Sequence, residues 1–337
     1  MQQISIAESL FQGAISVEKV DGGYKPWRIP YTQFSLFPPD GINGKAEMSA
    51  GVRLRFASDT TSIKVEVAPA DVLVQADLVI GDELIATHPL SPGETYFVFE
   101  NLADGSKTID IYLPQKAPTI VKSLSIDDSA SWYIPEQDNR PRWVAYGSSI
   151  TQCNDAFSPA QTWPALVARR HGLNLTCLGY SGNCHLEPMV ARMIRDLPAD
   201  IISLCLGINV YGGATLSPRT FRAAVIGLVQ IIREKHPGTP IALMSPIFSP
   251  AREENKNAAG FTLMEMRQEI QEAVNSMVAL GDQHLHYVHG LTIFDETQAY
   301  NLPDDLHPNG PGYVTMGDNY SSLVMEPLLK QYRIGSR

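Results

Sequence analysis

The chain has 337 residues, 44% of them apolar, and its 26 basic against 36 acidic side chains give a formal net charge of −10 at pH 7. That length exceeds the usual single domain and points to two, while an acidic chain with interspersed charges lacks the basic cluster that a nucleic-acid partner requires. No run reaches the roughly 18 apolar residues that cross a bilayer, and the opening "MQQISIAESLFQGAISVEKV" has no basic leader ahead of an apolar segment, so no membrane partner is expected and the protein is read as cytoplasmic.

From about Ala50 to Gln115 apolar residues recur at every second position in "VRLRFAS", "TSIKVEV", "VQADLVIGDE", "TYFVFENL" and "SKTIDIYL", with turn signals such as "SDTT", "SPGE" and "ADGS" between them. This pattern predicts an antiparallel, jelly-roll-like β-sandwich over residues 1–137. The stretch "DDSASWYIPEQDNRPRW" loses the periodicity and reads as a linker. Over residues 138–337 short apolar runs ("WVAYG", "LTCLGY", "IISLCLG", "IALMSPI", "LHYVHG") alternate with helical patterns, the signature of a parallel sheet with helices on both faces. Ser217 and Pro218 form an N-cap and first-turn pair, and Gly238 is a helix stop signal. The four cysteines, Cys153, Cys177, Cys184 and Cys205, read as reduced thiols and not as a disulfide framework.

In a parallel sheet the sites lie at the carboxyl ends of the strands. Four polar stretches fall there or just before the last helix: "GSSIT", "GYSGN", "GINVYGG" and "DDLHPNG". Serine hydrolysis needs a nucleophile, an imidazole base, a carboxylate that orients it and donors for the oxyanion, and these stretches contain every such residue type. Alternatives compete at each role. Ser181 nearly completes a G-x-S-x-G elbow but has Asn183 in its fifth position; Asp305 competes with Asp304 for the imidazole. His284 and His286 share one strand face without a third metal ligand nearby. His185 is either a substrate contact or a packing residue, and Arg252, in the polar "SPAREENKN" loop, either binds substrate or is solvated.

The order and spacing of the four stretches resemble the SGNH hydrolases, the GDSL esterase family. Gly147-Ser148-Ser149-Ile150 is similar to the first family block with Ser148 in place of its aspartate; Gly179-Tyr180-Ser181-Gly182 to the second; Gly207-Ile208-Asn209 to the third, with Val210 where many members carry an aspartate; and Asp304-Asp305-Leu306-His307-Pro308 to the last. The preceding sandwich resembles a subgroup with carbohydrate acetylesterases and a polyketide-tailoring acyltransferase. The resemblance implies a flavodoxin-like sheet and a catalytic Ser149, His307 and Asp304. It also implies an oxyanion hole from the Ser149 and Gly182 N–H groups and the Asn209 amide, with His185 and Arg252 as candidate substrate contacts and neither metal nor organic cofactor. The expected substrate is a small-molecule ester, with a small acyl group such as acetyl on a carbohydrate. Transfer to an alcohol acceptor and non-catalytic carbohydrate binding are the alternatives.

Trp132, Tyr133, Ile134 and Trp143 flank the linker with apolar bulk that a solvated tether would not favour, so the two parts are expected to pack together. A chain truncated to begin at Asp138 should then be poorly soluble or markedly less active. Full activity in a soluble truncated chain would contradict that expectation.

Overall fold

The structure is a computed structural model describing residues 1–135 and 138–335. The expected boundary between residues 137 and 138 thus touches residues 136 and 137, which lie outside the described residues, as do 336 and 337. Two compact units emerge, one of Met1–Arg140, Ser158–Gln161 and Asn174–Cys177, the other of Pro141–Phe157, Thr162–Leu173 and Leu178–Arg337.

The N-terminal unit is built from two antiparallel sheets. In one, Arg53–Ser58 pairs with Lys107–Tyr112, which pairs with Val74–Ile80, which pairs with Glu83–Leu90. In the other, Val121–Ile126 pairs with Ile63–Val67, which pairs with Tyr96–Phe99, and the hairpin Ser16–Val20/Gly23–Trp27 joins through Val121. Alternation sends Leu54, Phe56, Ile109 and Ile111 from the first sheet and Val65, Phe97, Leu124 and Ile126 from the second into a single apolar cluster.

Two features differ from the sequence reading. Strand Glu83–Leu90 escaped notice because it is an edge strand carrying Pro89, its residues alternate between exposed and half-buried, and a register shift in its partner at Leu78/Val79 blurs the period. The linker is also less free than its composition implies, since Trp132 and Tyr133 pair with Ser58 and Ala57. Farther along it, Arg140 pairs with Asp138 at 2.5 Å and lies 3.9 Å from the buried Asp110, while Arg53 Nε lies 3.6 Å from Asp110. This ionic cluster ties residues 138–140 to the strands of the N-terminal unit.

The parallel sheet consists of β1 (Arg142–Gly147), β2 (Asn174–Gly179), β3 (Ile201–Cys205), β4 (Ile241–Met244) and β5 (Leu285–Val288) in the order β2-β1-β3-β4-β5, the flavodoxin-like arrangement. β1, β3 and β4 are buried almost throughout, which is why their sequences show apolar runs and not alternation. Connecting helices start on recognisable caps. Thr162 Oγ1 accepts the Ala165 N–H ahead of α2 (Trp163–Arg170), following the short α1 (Ser149–Gln152). After α3 (Pro188–Asp196) and α4 (Ile208–Gly213), Ser217 caps α5 (Pro218–Arg233), and a Thr262–Glu265 capping box opens α6 (Leu263–Ala279). α5 ends at Arg233, well before Gly238, where the Arg233 guanidinium turns back to donate to the carbonyls of His236 and Thr239. Among the described residues no helix is long and apolar enough to cross a membrane.

Glycines mark the strand ends because backbones meet there. A Cβ at Gly179 would lie 2.3 Å from the Gln152 nitrogen, and one at Gly207, itself at φ +112°, would lie 2.8 Å from Pro246 Cγ. Gly179→Ala should therefore destabilise the protein by about 1–3 kcal/mol, as expected of overpacking against rigid neighbours, and an unchanged thermal midpoint would contradict that packing.

Candidate active site

β1 stops at Gly147, and the chain turns directly into α1. Ser148, the extended N-cap, accepts the Ile150 N–H on its hydroxyl at 3.2 Å. This bond turns Ser148 back onto the backbone and leaves Ser149, on the first turn, to project its hydroxyl to His307 Nε2 at 2.8 Å. The same bond shows how this turn is held with a serine where the resembled family has aspartate.

Asp304 and His307 lie in the loop before α7 (Gly310–Tyr320). Asp304 Oδ2 meets His307 Nδ1 at 2.6 Å, and Oδ1 accepts the backbone N–H groups of His307 at 2.7 Å and Leu306 at 3.1 Å. Because carboxylate oxygens accept, His307 Nδ1 carries the proton and Nε2 faces Ser149 with its lone pair. Burial by itself raises the Asp304 carboxyl, but the hydrogen bonds and charge of His307 and the Leu306 N–H outweigh it and hold the group below its ordinary value. Asp305 contributes its backbone instead of its carboxylate. Held at φ +59°, it presents a carbonyl that accepts from Ser249 Oγ at 2.6 Å and Arg252 Nη1 at 3.0 Å. Arg252 also donates to Ser249 Oγ at 2.9 Å, so it braces this loop. The sequence alone leaves it between substrate contact and solvation.

The residues of the second and third blocks are brought together by polar side chains. Gln152 Oε1 accepts the Ser181 N–H at 2.9 Å, and the Tyr180 N–H donates to the Gly147 carbonyl at 2.8 Å, seating the "GYSGN" loop beside α1. Cys184 N–H donates to Asn209 Oδ1 at 2.9 Å. An N–H can only donate, so that atom is oxygen and the opposite end of the Asn209 amide is its donor. His185 donates from Nε2 to the Gly182 carbonyl at 3.1 Å and accepts on Nδ1 from the Thr215 hydroxyl at 2.9 Å. With both ring nitrogens engaged inside the protein, it holds a loop and has no ring nitrogen left for a substrate. Behind this loop Tyr146 donates to Glu187 at 2.5 Å, and Glu187 also accepts the His185 N–H at 2.9 Å. Burial pushes the Tyr146 phenol well above its ordinary value, so it remains a donor.

Other sequence candidates lie elsewhere. Ser181 contributes its backbone to the loop, while His284 Nδ1 and His286 Nε2 converge on the Tyr332 hydroxyl at 3.2 and 2.8 Å. Gln152, Asn183, Ser249 and Thr215 were missed. A signal existed for Asn183, which closes the turn beginning at Tyr180, but the other three act through bonds between segments distant in sequence. A small cavity of about 20 Å³ is lined by Ser148, Ile150, Ile208, Met244, Ser249 and Leu306, neighbours in sequence of several site residues, but neither Ser149 nor His307 lines it.

Comparison with known proteins gives the context. The model of the GDSL-like lipase/acylhydrolase family matches residues 140–325, and that of the SsfX3 N-terminal domain matches residues 9–117. Among solved structures, the salicylyl-acyltransferase SsfX3 from a tetracycline biosynthetic pathway is 30% identical with TM-score 0.89, over 97% of each chain. A GDSL-like lipase from Bacteroides ovatus is 24% identical with TM-score 0.77, over 96% of each chain. A family-two carbohydrate esterase from Clostridium thermocellum shares the fold at 13% identity and TM-score 0.68, over 95% of this chain and 98% of that one. A search of curated proteins returns no match. With a family model spanning more than half of its length, this chain belongs to the GDSL-like lipase/acylhydrolase family.

Proposed function

We propose that the protein is a serine esterase that cleaves small acyl esters, acetyl foremost, through a covalent acyl-enzyme, with acetylated carbohydrate as the substrate class. The observation that carries this reading is the hydrogen-bonded chain from Ser149 Oγ through His307 to Asp304, at 2.8 and 2.6 Å. In the first half-reaction His307 Nε2 takes the Ser149 proton as Oγ bonds to the ester carbonyl carbon. The carbonyl π electrons move onto oxygen, which the Ser149 and Gly182 N–H groups and the Asn209 amide receive. Collapse expels the alcohol, protonated by His307. In the second half-reaction His307 deprotonates water, which attacks the acyl carbon and returns Ser149 free.

A second reading, transfer of the acyl group to an alcohol in place of water, is favoured by the 30% identity to SsfX3 over nearly the whole chain. Both readings use the same acyl-enzyme and the same base. Adding acceptor alcohols during p-nitrophenyl acetate turnover separates them, because a transferase diverts acetyl to ester product while an esterase releases acetate.

Ser149→Ala should abolish turnover and labelling by a fluorophosphonate, whereas Ser148→Ala should retain a measurable fraction. Labelling of Ser148 or Ser181 with Ser149 spared would overturn the assignment. Across p-nitrophenyl esters, kcat/KM should be highest for acetyl or butyryl and fall by about ten carbons, and a profile rising with length, as burial of each added methylene would give, would argue against a short acyl group.

His307 acts as base only when neutral, while Asp304, held below its ordinary range, keeps its carboxylate form on acidification longer than a free aspartate would. Activity should therefore fall on acidification along a single ionisation and be indifferent to chelators. Loss in EDTA that zinc restores would refute the metal-free mechanism. Asp304→Asn should lower kcat by roughly 10³–10⁴-fold, since the imidazole loses its orienting partner, and a rate within tenfold of the parent would remove Asp304 from the mechanism.

A further inference from the structure

The loop that carries Gly182 is a β-turn. The Asn183 N–H donates to the Tyr180 carbonyl at 2.9 Å, Gly182 has φ +75°, and Ser181 is not among the residues with positive φ. A turn with only its third residue in the left-handed region is type II. Types I and II differ by a half-rotation of the central peptide, the one joining the second and third residues. Here that peptide consists of the Ser181 carbonyl and the Gly182 N–H, so a flip to type I would swing the oxyanion donor to the opposite side of the loop.

Three side chains hold the three successive peptides of this turn. Gln152 holds the first through the Ser181 N–H at 2.9 Å, and His185 holds the third through the Gly182 carbonyl at 3.1 Å. The central peptide is held by Asn183, whose Nδ2 donates to the Ser181 carbonyl at 2.6 Å. Asn183 is only 8% exposed, so solvent does not replace this bond freely. We propose that Asn183 is a positioning residue that locks the Ser181–Gly182 peptide in the orientation presenting the Gly182 N–H to the oxyanion. The bond also polarises that peptide, which strengthens the N–H as a donor. Gly182 serves the same lock by geometry. A Cβ there would meet nothing within 4 Å, so the glycine is required for its left-handed φ and not for space. This inference rests on the serine esterase reading.

The test compares the parent with Asn183→Asp, nearly isosteric but unable to donate when ionised, and with Gly182→Ala, which fits the space but disfavours the type II turn. Four quantities are read: kcat and KM for p-nitrophenyl acetate, the inhibition constant of a boronic acid that forms a tetrahedral adduct on serine, and the thermal midpoint. Removing one oxyanion donor costs about 10²–10³-fold in kcat. Asn183→Asp should accordingly lower kcat by about 10–100-fold with KM within about twofold and weaken the boronic acid by a similar factor, while the buried carboxylate lowers the thermal midpoint without preventing folding. Gly182→Ala should follow the same pattern with a larger loss. Should Asn183→Asp not fold, Asn183→Ser keeps a short donor and Asn183→Ala removes it, and the serine variant should be several-fold faster. A parent-like kcat in Asn183→Asp, an effect confined to KM, or equal rates in the serine and alanine variants would overturn the lock while leaving the esterase reading intact. If the parent itself neither turns over any p-nitrophenyl ester nor reacts with a fluorophosphonate, the esterase reading fails and takes this inference with it.

Discussion

The site hangs from the close approach of two backbones. Where β2 ends at Gly179, the Thr151 carbonyl carbon and the Gln152 nitrogen lie 2.6 and 2.3 Å from the position a side chain would need. This contact wedges the turn bearing Ser149 against the start of the "GYSGN" loop and brings Gln152 within hydrogen-bond reach of the Ser181 N–H. The spacing between the Ser149 turn and the Ser181–Gly182 peptide is thus set by main chain, the stiffest material available. Side chains then trim orientation, as Asn209 does once the Cys184 N–H has fixed which end of its amide faces outward. On the proposed esterase reading, dipoles preorganised in this way cost nothing to reorient at the moment charge develops.

Much of this could be read in advance, for definite reasons. β1, β3 and β4 announce themselves as apolar runs because both faces of the sheet are covered, and the strand-end polar stretches stand out against them. Asp304 and His307 are three residues apart, so their bond is local and their spacing carries it. The contribution of Asp305 lay beyond reach, because a left-handed residue that offers a carbonyl leaves no trace in side-chain chemistry. Arg252 and His185 illustrate a related blindness. Polar residues near a site look like substrate contacts until their partners are known, and here those partners are the carbonyls of Asp305 and Gly182.

In the N-terminal unit, alternation between apolar and polar residues gave the central strands, whose one buried face enforces it, and missed Glu83–Leu90, where an edge position and a bulge relax that requirement. The stretch taken for a linker mixes acids, serine and proline, yet two of its aromatic residues complete a sheet edge and its Asp138 and Arg140 join a charged cluster around Asp110. Composition describes what a segment dissolves in; it is silent on backbone pairing, to which every residue brings a carbonyl and every residue but proline an N–H.

The bracing of Asp305 bears on how the enzyme tolerates change. Its carbonyl has two lone pairs and receives two donors, Ser249 Oγ and Arg252 Nη1, which also bond to each other. Removal of either leaves the oxygen satisfied by the one that remains, and only joint removal strands it. Such redundancy makes the two positions individually permissive and jointly intolerant, so their effects on turnover will not add. The polar loop after β4 can drift in sequence one residue at a time while the histidine loop keeps its shape, a buffer against mutation built from a single shared acceptor.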